Sequence, residues 1–82
     1  MKISREELEN KLSLHYKWLD GVPGGVQLNL TGYDLSNADM GYANLRNAVL
    51  KEANLRNADM RYAITTNINL RHAIMPDGTI HD

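Results

Sequence analysis

The chain has no cysteine, which excludes disulfide staples, thiolate metal sites and thiol catalysis together. It has no excess of charge: nine Lys and Arg stand against ten Asp and Glu, a formal net of −1. That balance argues against a generally basic nucleic-acid-binding chain and against a strongly acidic mimic of a whole duplex. No apolar run approaches the ~18 residues of a membrane-spanning helix, and the first residues lack a signal-peptide core. The expected location is cytoplasmic, with no membrane partner. A Gly-rich phosphate loop and a nucleophile elbow are also missing. His15, His72 and His81 have no ligand spacing to one another or to a carboxylate on one element, apart from the terminal His81-Asp82 pair, whereas a metal needs three or four converging ligands. The expectation is a chain that is not an enzyme and has no cofactor or metal. At 82 residues a conventional core is thin, so a special device must supply stability.

That device is a repeat of period five, beginning at Leu28. The third place of each unit holds Leu30, Leu35, Met40, Leu45, Leu50, Leu55, Met60, Thr65, Leu70, Met75 and Ile80, all bulky and apolar except Thr65. Two places earlier, Ala recurs at 38, 43, 48, 53, 58, 63 and 73. Neither a helix nor a flat strand has this period. The chain must turn once per unit and point the same two places inward each time.

Units such as Ala38-Asp39-Met40, Ala43-Asn44-Leu45, Ala53-Asn54-Leu55 and Ala58-Asp59-Met60 resemble those of the pentapeptide-repeat family. The resemblance covers about two-thirds of the chain. It implies an all-β solenoid, a right-handed quadrilateral β-helix with four units per coil, here of nearly three coils. The segment His15-Tyr16-Lys17-Trp18-Leu19, with Gly24-Gly25 after it, is similar to the leader of short bacterial and phage-like members. With twenty residues per coil the expected core columns are Leu30/Leu50/Leu70, Leu35/Leu55/Met75, Met40/Met60/Ile80 and Leu45/Thr65.

Residues 1–25 read as an N-terminal α-helical cap and Gly-rich turn, and residues 26–82 as the β-helix. Ser4 and Glu7 fit a capping box. Leu8, Leu12, Tyr16 and Leu19 make one stripe, which Leu14 and Trp18 widen, so Tyr16 and Trp18 are expected to pack as a lid on the first coil. Leu28 and Tyr33, inward in place of Ala, would meet that lid. At the other end nothing after residue 80 is available to cover the last coil. Ile64, Leu70, Ile74, Met75 and Ile80 are therefore the candidate surface for a homodimer built end to end through the C-terminal coil, as the resemblance also suggests.

The exterior offers two further candidates. Tyr42 and Tyr62 are twenty residues apart and should stack on one wall, with Arg61 and Arg46 nearby, residue types common at binding hot spots. Asp34, Asp39 and Asp59 form a candidate acidic face that could imitate nucleic-acid phosphates, although Asp or Asn is also the ordinary residue of that place. Direct nucleic-acid contact through Arg46, Lys51, Arg56, Arg61 and Arg71 is disfavoured by the interleaved acidic residues. The expected function is a non-enzymatic protein-binding module with a protein partner. Its expected form is a small inhibitor that occupies a site on a host nucleic-acid-processing or defence enzyme. A self-associating structural scaffold and a DNA-mimic ligand of a topoisomerase are the alternatives.

Overall fold

The computed structural model describes residues 1–82. One helix, α1 (Arg5–Leu19), precedes a stack of coils joined by parallel bridges between residues twenty apart. The bridges run Asn29–Val49–Asn69, Asp34–Asn54–Ile74, Asp39–Asp59 and Asn44–Ile64, giving four sides to each coil. Leu30 N–H donates to Val49 O at 2.7 Å and Leu50 N–H to Asn69 O at 2.8 Å, so Leu30, Leu50 and Leu70 form a vertical row. Leu30, Leu35, Leu45, Leu50 and Leu55 have no exposed surface, and Ala48, Ala53 and Ala73 are equally closed. Burying each leucine contributes roughly 1.5–3 kcal/mol of transfer free energy.

Each corner is a β-turn. The core residue's carbonyl accepts the N–H of the alanine three places on, as in Ala38 to Leu35 at 3.1 Å and Ala58 to Leu55 at 2.9 Å. The residue before that alanine, or before Ile68 in one unit, has positive φ, from 58° to 64°, at Asn37, Tyr42, Asn47, Glu52, Asn57, Tyr62, Asn67 and His72. A positive φ at that place alone is the signature of a type II turn, and Asn tolerates it better than most side chains. The place before the core residue stabilises the same turn from the other side. The side-chain oxygens of Asn29, Asp34, Asp39, Asn44, Asn54, Asp59 and Asn69 each accept the backbone N–H two residues on, at 2.9 to 3.2 Å.

The N-terminal cap differs from expectation in three ways. First, the leading tripeptide joins the stack. Lys2 bridges Asp34, Ile3 N–H donates to Asp34 O at 3.1 Å and Asp34 N–H to Met1 O at 2.9 Å. Ile3 thus sits buried at the top of the Leu35/Leu55/Met75 column. Second, the capping box is half made. Ser4 Oγ accepts Glu7 N–H at 3.0 Å, but the Glu7 carboxylate turns to Lys11 at 4.0 Å and to the Tyr33 hydroxyl at 3.4 Å. Third, the buried helix residues are Leu8 and His15, with Leu12 and Leu19 half-buried, while Tyr16 and Trp18 remain 38% and 39% exposed. Tyr16 and Trp18 are therefore not the lid's main packing surface. Spacings of 8, 12, 15 and 19 put His15 on the inner face instead.

α1 ends in a Schellman motif: Val22 N–H donates to Lys17 O at 2.9 Å and Gly21 N–H, at φ 71°, to Trp18 O at 3.2 Å. The chain then passes so close to the helix that a Cβ on Gly25 would lie 2.3 Å from Trp18 N.

The lower end also departs from the periodic reading. Ile80 does not lie beneath Met60. Asp77 Oδ1 accepts both the Thr79 N–H at 3.0 Å and the Thr79 hydroxyl at 2.6 Å, and the chain reverses. Ile80 then bridges Ile74 in antiparallel sense, with Met75 N–H donating to Thr79 O at 2.7 Å. Regular stacking stops at Met75-Pro76, short of the nearly three coils that the family resemblance implies. The returning segment pairs with one side of the last coil only.

Candidate functional site

The most distinctive outer feature is the corner shared by two successive coils at Tyr42 and Tyr62. Tyr42 N–H donates to Arg61 O at 3.0 Å, which fixes the two turns one above the other. The rings stack at 5.1 Å between centroids with 21° between planes, and they are 78% and 74% exposed. Both residues have left-handed φ, 63° and 62°, a conformation that is costly for a bulky side chain and that Asn occupies in four sister turns.

Beside the rings, Arg61 grips Asp59 through two hydrogen bonds, Nε to Oδ1 at 3.1 Å and a terminal guanidinium nitrogen to Oδ2 at 3.0 Å. The side-chain and backbone donors of Arg61 hold the Asp59 carboxyl below the usual carboxylate range. Asp39, Gly41, Tyr42, Asp59, Arg61 and Tyr62 together line a shallow cleft of about 260 Å³. The chain thus brings Tyr42, Tyr62 and Arg61 together but leaves Arg46 in the next corner, the Leu45–Ala48 turn. There its carbonyl accepts from His15.

Asp39 and Asp59 bridge one another and share this cleft, whereas Asp34 stands on the adjacent side. Hydrogen bonds from Ser36 lower the Asp34 carboxyl, and the Lys2 ammonium, 4.0 Å away, adds to them. All three carboxylates also accept the local backbone N–H that neutral Asn accepts at 29, 44, 54 and 69.

Of the candidate end residues, Ile64 and Ile80 are exposed, at 43% and 59%. Leu70, Ile74 and Met75 are half-buried. Backbone N–H groups of Met60, Tyr62 and Thr65 and the carbonyls of Ala58 and Ala63 have no backbone partner on this edge.

Sequence reasoning missed His15 as a structural hub. Its Nδ1 accepts Leu28 N–H at 2.9 Å, so its Nε2 must carry the hydrogen that goes to Arg46 O at 3.0 Å. The Trp18 ring stacks over it at 5.7 Å. Burial lowers the imidazole pKa, against an opposing pull from the Arg46 carbonyl. The available signal was its position seven residues after Leu8, on the helix stripe. No helix in the chain is long and apolar enough to cross a membrane, and no group of three His, Cys, Asp or Glu residues is placed to hold a metal ion.

The sequence model for the family described as Pentapeptide repeats matches residues 29–64 and 53–77, with eight copies. Curated proteins give no match. Among solved structures, the chain resembles the crystal structure of HetL, a pentapeptide repeat protein involved in heterocyst differentiation regulation from the cyanobacterium Nostoc sp. strain PCC 7120. The TM-score is 0.67 at 47% identity, over 72% of this chain and 25% of HetL. The chain therefore spans about a quarter of that protein's length. With its stacked five-residue units, this chain belongs to the pentapeptide repeat family and winds as a right-handed β-helix solenoid.

Proposed function

We propose that the chain is a non-enzymatic protein-binding module that contacts its partner through the Tyr42–Tyr62 corner and Arg61. The observation that carries this reading is the stacked tyrosine pair, three-quarters exposed and held in a backbone conformation that disfavours Tyr. Exposed aromatics that cost stability point to selection for contact rather than for folding. The likeness to HetL, a protein involved in regulation, agrees with a role exerted by binding. Its specific form would be a small inhibitor occupying a site on a host nucleic-acid-processing or defence enzyme, an extension by fold analogy.

The test is affinity capture from host lysate with the unsubstituted chain and with Tyr42→Ala/Tyr62→Ala. The reading expects one stoichiometric enzyme partner, inhibited on binding and lost with the double variant. Retention of that partner by a folded double variant contradicts it.

A second reading, self-association through the C-terminal end, draws support from exposed Ile64 and Ile80 beside an unpaired strand edge. A DNA-mimic role is less favoured, because Asp59 is held by Arg61 and Asp34 lies beside Lys2.

A further inference from the structure

Between α1 and the first coil runs a groove of about 490 Å³, with Ile3, Leu8, Leu12, Ala38 and Met40 among its lining residues. On its floor lies an open strand edge. One coil below, Asp59 N–H donates to Ala38 O, Asp59 O accepts from Met40 N–H, and Arg61 O accepts from Tyr42 N–H. The equivalent groups one coil up, Asp39 N–H, Asp39 O and Gly41 O, have no protein partner. On the adjacent side the same edge is already extended: Met1 O and Ile3 N–H take Asp34 N–H and Asp34 O, and Ile3 turns inward. The groove therefore continues a strand position that the N-terminal tripeptide fills next door.

Gly41 supplies an independent observation. Its φ is not positive, and an added Cβ would meet only ordinary contacts, 3.5 Å and beyond. Neither turn geometry nor crowding calls for glycine there. The same place holds Arg46, Lys51, Arg56, Arg61 and Arg71 in five other units and Thr31, Ser36, Thr66 and Pro76 in four, so Gly41 alone lacks a side chain there. A glycine that weakens the fold slightly leaves the groove mouth clear beside Tyr42.

We propose that this groove is a binding site for an extended peptide segment of a partner protein. The segment adds as a strand to the Asp39–Gly41 edge and directs one bulky apolar side chain into the groove, as Ile3 does on the neighbouring side. Main-chain hydrogen bonds would give affinity and the apolar wall selectivity, as in other strand-addition complexes. The site adjoins the Tyr62–Arg61 wall and shares Asp39, Gly41 and Tyr42 with its cleft, so Tyr62, which borders the cleft alone, is the residue that distinguishes the two.

The test pans a displayed library of random short peptides on the full chain. Gly41→Arg blocks the groove, Gly41→Ser reproduces the side chain found at Ser36, and Tyr62→Ala alters only the wall. We expect enriched peptides sharing one bulky aliphatic position. Binding should be roughly tenfold or more weaker to Gly41→Arg, unchanged in Gly41→Ser and Tyr62→Ala, and should slow amide exchange at Asp39. Absence of enrichment, equal binding to Gly41→Arg, or protection confined to the Tyr62 wall overturns the proposal. Protection of Asp39 in the free chain on dimerisation would assign the groove to a second copy and overturn it as well.

Discussion

His15 Nδ1 accepts the backbone N–H of Leu28 at 2.9 Å, so the helix and the first coil are joined through a neutral imidazole of one defined tautomer. Protonation would set a second N–H against the Leu28 donor. Burial therefore lowers the folded-state pKa, while the unfolded chain titrates near the ordinary value of 6.5. The contribution of His15 is fully present above about pH 6.5 and is lost as pH falls below it toward the folded pKa. We expect the melting temperature to drop as the pH falls below about 6.5. His15→Gln, whose amide can still donate and accept, should reduce that drop. An equal drop in both proteins contradicts the assignment.

The stack itself is sensitive at its centre. Leu55 is fully closed between Leu35 and Met75. Leu55→Ala should cost about 2–5 kcal/mol, read from denaturant unfolding. Leu55→Asp buries a charge with no partner and should abolish the folded state. A normal melt of Leu55→Asp would refute the inward assignment.

The tyrosines make the opposite prediction for stability. Their turns impose positive φ, which Asn accepts more readily, so Tyr42→Asn and Tyr62→Asn should keep stability within about 1 kcal/mol of the parent or raise it. Partner capture should fall sharply in the same variants. A large loss of stability would mean that the stacked rings act mainly as structural cover.

Gly25 tests the helix–coil approach. A methyl group there would overlap the Trp18 backbone, and backbone cannot yield as a flexible side chain can. Gly25→Ala should cost about 1–3 kcal/mol and release the helix, seen as faster amide exchange at Val26, whose N–H donates to Leu14 O. Unchanged exchange would contradict the close contact.

The C-terminal end bears on the second functional reading. Self-association there predicts a dimer mass by light scattering that reverts to monomer in Met75→Asp/Ile80→Asp. Monomer mass for the unsubstituted chain at high concentration contradicts that reading.

Much of the architecture was legible because Leu, Met and Ala recur at fixed places, and burial demands that equal places face the same way. Leu30 over Leu50 and Tyr42 over Tyr62 follow from that period once the family resemblance supplies four units per coil. Ile3 was not legible, since three residues pairing with Asp34 leave no repeat to detect. His15 was hidden by its polarity: hydropathy favoured Tyr16 and Trp18, but the backbone N–H of Leu28 and the carbonyl of Arg46 needed a partner with both a donor and an acceptor. Ile80 kept the spacing yet lost the stacking, because the turn closed by Asp77 and Thr79 outweighs the period in the final unit. The Asp39–Gly41 edge became visible only once the strand above Asp34 was located.

The most direct test of the twenty-residue winding is a methyl-labelled NOE experiment on the leucines. Leu50 methyls should show cross-peaks to both Leu30 and Leu70, the residues above and below it in one column. Cross-peaks confined to residues three or four positions away, with none across twenty, would contradict the coil and every surface built on it.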